Sequence, residues 1–177
     1  MHQILKFLSV CIILALLFLS LTGALTNSKT ALSFTSVVDS PSTVIWQYIT
    51  DPDKISRWQN DADKIEMVNM QEMKKGTILK VHYKQFIYNE KIVEWFPERK
   101  LNRQVIGSNK YPLLTNFITS IELKPLKQGS TEINIAIEYT VMSFFTKIYN
   151  QIYLRRHFAN QYKENLANLK NLVEKIL

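Results

Sequence analysis

The chain has 177 residues, of which 46% are hydrophobic and 21% charged, and its formal net charge is +7. Once an N-terminal segment of about 25 residues is set aside, roughly 150 residues remain, which is the size of one domain and excludes two. The only cysteine, Cys11, lies within that N-terminal segment. The remaining domain therefore has no disulfide framework and no thiolate metal ligand.

The N-terminal segment is apolar. Residues 7–25 contain no charged side chain, and a run of about 20 such residues is long enough to cross a bilayer as a helix. We favour an uncleaved transmembrane anchor that keeps Lys6 cytoplasmic and the domain outside the cytoplasm. The alternative is a signal peptide cleaved near Ala24, which would leave a secreted or periplasmic domain. The predicted division is a membrane segment at 1–27 and a domain at 28–177.

The basic charge, with a sequence pI of about 9.4, favours anionic partners such as nucleic acid or an anionic lipid surface. The lysines are scattered, no block of five basic residues occurs, and Arg155 and Arg156 form the only arginine pair. This pattern predicts a membrane as partner rather than nucleic acid.

The first predicted elements are a strand and two short helices. Apolar residues alternate over residues 30–39, which predicts a strand. Ser40 and Pro41 then favour a helix start, with Ser40 as the cap. Asp51 and Pro52 are expected to end that helix and begin a second one that runs through Trp58.

Six strand-like segments and a long helix follow. The segments are residues 64–70, 76–86, 87–96, 101–106, 113–123 and 131–142. Their connections are short, so neighbouring strands are expected to pair antiparallel. From about Phe144 apolar residues recur at steps of three and four, with Ile148, Ile152 and Tyr162 among them, which predicts a helix roughly 45–50 Å long. The expected fold class is α+β.

Two stretches resemble a known family. Residues 40–58 contain a small residue followed by Pro41, the pair Val44 and Trp46, an Asp-Pro step and Trp58, and residues 93–101 contain a proline, a basic pair and a leucine. In this order they are similar to the SRPBCC or START-like superfamily, including its polyketide cyclase/dehydrase and lipid-transport branch. The resemblance implies a helix-grip fold, in which a curved antiparallel sheet of six to seven strands wraps around a long C-terminal helix. It also implies an apolar cavity between sheet and helix. Residues 85–90 lack the glycines that members often carry there.

The sequence contains no recognisable catalytic or cofactor set. His2, His82 and His157 lie far apart and no metal-ligand spacing occurs, so we expect no metal. With four glycines and no phosphate-binding loop or nucleophile elbow, we also expect no cofactor.

Aromatic residues on inward-facing positions are the better candidates for a ligand site, because a tyrosine offers a hydroxyl group within an apolar wall. Arg103 is a candidate for holding an anionic head group, and Trp58 is expected near the cavity mouth; the alternatives are core packing for the aromatics and an outward Arg103. The predicted ligand-binding residues are Trp58, Tyr83, Arg103, Phe117, Tyr139 and Tyr153.

The expected function is to bind a lipid or another hydrophobic or amphipathic small molecule, without catalysis, in a membrane-tethered or exported domain. The alternative is a cyclase- or dehydratase-like enzyme that uses pocket tyrosines or carboxylates. Glu90 and Glu94 are the candidate bases, whereas strand parity predicts that Glu138 faces solvent. The sequence leaves open whether the protein is an enzyme.

Overall fold

Seven strands form a single antiparallel sheet in the order β1-β7-β6-β5-β4-β3-β2. The structure, a computed structural model, describes residues 6–14, 17–18, 28–108 and 113–175. The strands are β1 (Lys29–Val38), β2 (Lys64–Met67), β3 (Ile78–Tyr83), β4 (Phe86–Phe96), β5 (Lys100–Ser108), β6 (Leu114–Pro125) and β7 (Thr131–Val141). The helices are α1 (Ser42–Thr50), α2 (Pro52–Trp58), α3 (Phe144–Tyr149) and α4 (Arg155–Glu174), with a π-helical segment, Asn150–Leu154, between the last two. The predicted α+β helix-grip fold, including two short helices after the first strand, is confirmed.

The inner face of the sheet forms one wall of the hydrophobic core. Burial alternates residue by residue along β7, and its inward side chains from Ile133 to Val141 are almost fully buried. This is the period of two that a strand imposes on its side chains. The pairing of β4 with β5 shifts register at Asn89/Glu90 and again at Ile92/Glu94. Such irregularities bend a strand and increase its twist, which helps the sheet to curve around α4.

The start of α1 differs from the prediction. Pro41 is the N-cap and provides no side-chain hydrogen bond, so the predicted capping role of Ser40 is wrong. Ser40 is instead fully buried, and its carbonyl accepts a 2.8 Å hydrogen bond from the Thr131 hydroxyl. The start of α2 is capped, since the Asp51 carboxylate accepts from the Asp53 amide at 3.0 Å.

The C-terminal helix is interrupted by one π-helical turn. The Arg155 amide donates to the Asn150 carbonyl, five residues back, and such a turn rotates the side chains that follow it. Ile152 and Tyr153, predicted to face inward, are 70% and 48% exposed, so that prediction is wrong. The turn accounts for Ile152, whereas Tyr153 lies nine residues before Tyr162 and would face the opposite side even of a regular helix. Beyond the turn, α4 buries a stripe at steps of three and four, as predicted, which includes Phe158, Tyr162, Leu166, Leu169 and Val173.

The π-helical turn directs Asn150 into the core. Its side-chain oxygen accepts from the Tyr139 hydroxyl at 2.7 Å, and its amide donates to the Thr30 hydroxyl at 2.9 Å. Burial raises the pKa of Tyr139 above its ordinary value, so the phenol stays protonated and donates. One side chain thus joins the helix to both β7 and β1.

Residues 6–14 are helical and exposed. Among the residues that the structure describes, no helix combines the length and the apolar character needed to cross a membrane. The predicted membrane segment at 7–25 lies partly outside the described residues, at 15–16 and 19–25. Its role and the division at residue 27 stay predictions.

Replacing Asn150 tests the connection that its side chain makes between the C-terminal helix and strands β7 and β1. We expect Asn150→Ala to lower the free energy of unfolding by about 2–4 kcal/mol, because it leaves two buried hydroxyl groups without their partner. The exposed neighbour Gln151, on the same turn, provides the control. We expect Gln151→Ala to change the free energy of unfolding by no more than about 0.5 kcal/mol. Guanidinium unfolding followed by circular dichroism measures both, and equal effects would contradict the assignment.

Candidate ligand-binding site

A charged pair lies in the interior between the sheet and α4. Glu90 on β4 and Arg103 on β5 face inward from neighbouring strands, and Arg103 Nη1 lies 3.2 Å from Glu90 Oε2. Their side chains are only 8% and 1% exposed. Desolvating two charges costs several kcal/mol per ion, so such a pair is weak support for stability and requires further polar partners.

Gln59 supplies one such partner, since its Oε1 lies 3.4 Å from Arg103 Nη1. Two further hydrogen-bonded pairs are buried in the same region: Asp61 Oδ2 lies 3.4 Å from the Tyr88 hydroxyl, and the hydroxyls of Thr119 and Tyr162 are 3.1 Å apart. All of these residues are at most 8% exposed. We refer to them together as the interior polar cluster: Gln59, Asp61, Tyr88, Glu90, Arg103, Thr119 and Tyr162.

The pKa of the Tyr162 hydroxyl reflects the charges and the burial of the cluster. Burial is the main cause that raises the pKa of its hydroxyl far above the ordinary value, and the negative charges of Asp61 and Glu90 raise it further. The hydrogen bond with Thr119 and the positive charge of Arg103 oppose this shift only in part. Tyr162 therefore stays a neutral phenol, able to donate or accept a hydrogen bond.

The cluster contains donors that no described residue satisfies. Nε and Nη2 of Arg103 are buried and have no hydrogen-bond partner among the described residues, and the same holds for Nε2 of Gln161 on α4. An unsatisfied buried donor costs about 1–3 kcal/mol, so each needs an explanation. Donors of this kind can recognise an acceptor group that enters from outside.

A cavity of about 230 Å³ lies next to the cluster. It is enclosed by the loop that follows α2, the end of β3 and the first half of α4. The loop is held against α4 because the Asn60 amide donates to Asn165 Oδ1 at 2.9 Å and its side chain donates to Glu164 at 3.1 Å. We refer to this cavity as the α4 pocket, and its lining residues are Asn60, Asp61, Tyr83, His157, Asn160, Gln161 and Glu164.

Asp61 connects the α4 pocket to the interior polar cluster because it belongs to both. Gln161 also lines the pocket, and it precedes Tyr162 of the cluster. A molecule in the pocket thus meets carboxylate, amide and imidazole groups, with a buried charged pair behind them. A titratable group with a strongly raised pKa, here Tyr162, close to a concave pocket is typical of functional sites.

A second cavity, of about 450 Å³, is an open groove between β1 and α4. Phe34 and Leu166 form its apolar part and Lys163 and Lys170 its basic part. It contains no member of the interior polar cluster, so the α4 pocket is the better candidate.

The structure brings two of the predicted site residues to this region. Tyr83 lines the α4 pocket and Arg103 belongs to the interior polar cluster. Arg103 is buried because Glu90 balances its charge, so the alternative of an outward Arg103 is wrong.

The other four predicted site residues lie elsewhere. Trp58 is buried in the core, where its indole N–H donates to the Tyr48 carbonyl at 3.1 Å; its predicted position at the cavity mouth is wrong. Phe117 and Tyr139 stack in the core with ring centroids 5.6 Å apart. Tyr153 lies on the surface and is 48% exposed, so its predicted inward orientation is wrong.

Sequence reasoning missed most of the cluster. The sequence pattern identifies Tyr162 only as one of the buried residues of the C-terminal helix. Asp61 lies in a loop, where no hydrophobic periodicity indicates which side chains face inward. Glu90 faces inward, as an internal base would, whereas Glu94 is partly exposed beside Lys100 at 3.2 Å. Glu138 is exposed and pairs with Lys29, as strand parity predicted.

Comparisons with known proteins agree with this architecture. The sequence profile of the family described as "polyketide cyclase / dehydrase and lipid transport" matches residues 29–174. No curated protein sequence matches the chain.

Similar solved structures share the fold. A major latex-like protein from Panax ginseng has a TM-score of 0.67 at 11% identity, covering 83% of this chain and 99% of that one. The Zhui aromatase/cyclase from a Streptomyces species has a TM-score of 0.65 at 11% identity, covering 83% and 94%. Norcoclaurine synthase from Thalictrum flavum, in complex with dopamine and hydroxybenzaldehyde, has a TM-score of 0.63 at 21% identity, covering 86% and 90%.

The charged pair can be tested by removing one partner. We expect Glu90→Gln to lower the free energy of unfolding by about 3–5 kcal/mol, because the Arg103 charge is left buried without a counter-charge. Adding Arg103→Met to this variant removes that charge and should restore most of the loss.

Glu94 on the same strand provides the matched control. Its ion pair with Lys100 is partly exposed, so Glu94→Gln should cost less than about 1 kcal/mol. Urea unfolding compares the variants. A Glu90→Gln effect no larger than that of Glu94→Gln would show that the buried pair is not coupled as described.

Proposed function

We propose that this chain, which belongs to the polyketide cyclase/dehydrase and lipid transport family, binds a small amphipathic molecule in the α4 pocket. The observation that carries the proposal is Arg103, whose Nε and Nη2 are buried yet find no hydrogen-bond partner within the described part of the chain. The α4 pocket shares Asp61 with the interior polar cluster, and Gln161, which lines it, provides a further buried donor without a partner among the described residues. Such a concave site is the usual form of a small-molecule site.

The lining of the pocket defines the chemical class of the ligand. Amide and carboxylate side chains hydrogen-bond polar groups, while the rings of Tyr83 and His157 offer flat faces for an aromatic or unsaturated part. The volume of 230 Å³ is below the range of about 300–1,000 Å³ that holds drug-sized ligands. The pocket therefore fits a compact polar-aromatic molecule. A norcoclaurine synthase of the same fold holds dopamine and hydroxybenzaldehyde, two molecules of that kind.

A long acyl chain fits the described conformation less well. The apolar space between sheet and helix is occupied by the rings of Phe117, Tyr139 and Phe158. Their ring centroids lie 5.2–5.6 Å from one another. A lipid tail in this space would have to displace those rings, with a cost of several kcal/mol for each aromatic residue removed from the core. We therefore propose that recognition occurs through the polar group.

We further propose that residues 7–25 tether the domain to a membrane and that the domain lies outside the cytoplasm. The support is the charge-free sequence and the apolar, exposed helix of residues 6–14. β1 begins at Lys29, only four residues after the end of this segment, so a tether of this kind would hold the domain close to the surface.

The second candidate function is acid–base catalysis, and the titratable groups of the interior polar cluster favour it. Asp61 and Glu90 lie near Tyr162, whose pKa burial has raised. A neutral phenol beside two carboxyl groups places a proton donor next to possible proton acceptors, which is the arrangement that acid–base catalysis requires. An enzyme would release a molecule of different mass from wild-type protein than from Tyr162→Phe or Asp61→Asn, whereas recovery of the same molecule from all three would refute catalysis by these groups.

Filling the pocket tests the binding proposal. The wild-type full-length protein is released from detergent in a native mass spectrometer, and we expect it to retain a small molecule. We also expect it to bind added hydroxybenzaldehyde. Asn160→Phe places a ring in the pocket from the solvent side and should weaken binding at least roughly tenfold, which corresponds to about 1.4 kcal/mol.

The matched control is Asn171→Phe, an exposed position on the same helix beyond the pocket residues. It should bind like the wild type. Equal binding by Asn160→Phe, or a wild-type protein that neither retains a molecule nor binds the probe, would contradict the proposal.

A further inference from the structure

The α3 helix and the π-helical segment expose an apolar surface. Phe145 and Ile152 are 79% and 70% exposed, far more than such side chains usually are. Contiguous exposed apolar residues mark contact with another molecule or with a membrane. We refer to this surface as the apolar end face; its residues are Met142, Phe145, Tyr149, Ile152 and Tyr153.

The apolar end face lies where the N-terminal segment enters the domain. The Val141 amide donates to the Ser28 carbonyl at 2.8 Å, and Lys29 pairs with Thr140. Leu113, also exposed, precedes Leu114, which pairs with Val141. Ser28, at which the described domain begins, therefore lies at the same end as Met142 and Phe145.

The charge of this region is one-sided. Residues 139–163 contain Lys147, Arg155, Arg156 and Lys163 but no aspartate or glutamate. The preceding carboxylate, Glu138, is balanced by Lys29 at 2.7 Å, so the net charge of the region is positive. Arg155 and Arg156 are exposed and directly follow the π-helical segment. An apolar face bordered by basic side chains, with tyrosines among them, is the composition of helices that lie in the interface of an anionic membrane.

Stacked rings connect the apolar end face to the α4 pocket. Tyr149 stacks on Tyr153 at 5.2 Å, and Tyr153 stacks on His157 at 5.4 Å. His157 in turn lines the pocket. A surface that contacts a membrane through Tyr149 and Tyr153 would hold the pocket close to the headgroup region.

We propose that the apolar end face lies in the interface of an anionic lipid bilayer, so that the α4 pocket takes up its ligand at the membrane surface. The role in ligand uptake rests on the proposed function, whereas the membrane contact itself rests only on the surface described above. The lipid bilayer is favoured over a second copy of the chain because of the one-sided basic charge, which would repel its own copy.

Spin labelling of the full-length protein tests the contact. Cys11 is the only cysteine, so a Cys11→Ser background accepts single labels through Phe145→Cys or Ile152→Cys. The control is Val37→Cys, an exposed apolar position at the opposite end of β1 from Lys29. Vesicles contain phosphatidylcholine with phosphatidylglycerol, or phosphatidylcholine alone, and collision with oxygen and with a water-soluble nickel complex is measured at each label.

We expect the oxygen-to-nickel collision ratio at positions 145 and 152 to exceed that at position 37 by roughly fivefold or more, since an interfacial helix inserts its apolar face below the headgroups. The difference should be larger with phosphatidylglycerol. Circular dichroism of each labelled protein verifies that it is folded.

The other outcomes overturn the proposal in distinguishable ways. One outcome is a collision ratio typical of water at positions 145 and 152 together with a ratio typical of lipid at a label on native Cys11. It would support the membrane tether and reject membrane contact by the apolar end face. Collision ratios typical of water at all positions would reject both the tether and the contact. Shielding from both reagents, with spin–spin coupling between copies, would identify the apolar end face as a self-association surface. Pocket binding of hydroxybenzaldehyde is measured separately, so its failure does not affect these results.

Discussion

The rest of the structure depends on how the fold accommodates one charge, the guanidinium of Arg103, between the sheet and α4. A buried charge needs a counter-charge and hydrogen-bond partners. Glu90 provides the first from the neighbouring strand, and Gln59 provides the second from the end of α2. The loop that follows α2 is in turn held to α4 through Asn165. The charged pair thereby explains why a loop, two strands and the long helix meet at this point.

The same requirement separates the interior into two parts. Toward β7 the space is filled by packed aromatic rings, and the one hydroxyl among them, that of Tyr139, donates to Asn150. Toward β3 and β4 it contains carboxylates, phenols and a guanidinium, and two nitrogens of that guanidinium find no hydrogen-bond partner among the described residues. Packing favours stability in the first part, and unsatisfied donors favour recognition in the second. The family resemblance implied an apolar cavity between sheet and helix, whereas the α4 pocket is lined mostly by polar side chains.

Local rules predicted the strands well because each strand carries its own alternation and each turn its own breaker residues. The strand 131–142 is one residue longer than β7, and antiparallel pairing follows from short connections. The interior polar cluster could not be predicted in the same way. The burial of Arg103 depends on Glu90, thirteen residues earlier, and on a loop contact that no periodicity encodes. The exposure of Ile152 depends on a single π-helical turn, whose extra residue a period of 3.6 does not anticipate.

That π-helical turn connects the interior with the surface. Because it accommodates one additional residue, Asn150 turns toward Tyr139 and Thr30 while Ile152 turns outward. In a regular helix in phase with Tyr162, Asn150 would lie about 120° from the buried stripe and Ile152 about 80° from it. Tyr153 would face solvent in either case, because nine residues at about 100° each place it opposite Tyr162. Two buried hydrogen bonds offset the cost of the irregular turn. The same backbone irregularity that anchors the helix to the sheet therefore leaves Ile152 on the exposed surface through which we propose that the domain meets a membrane.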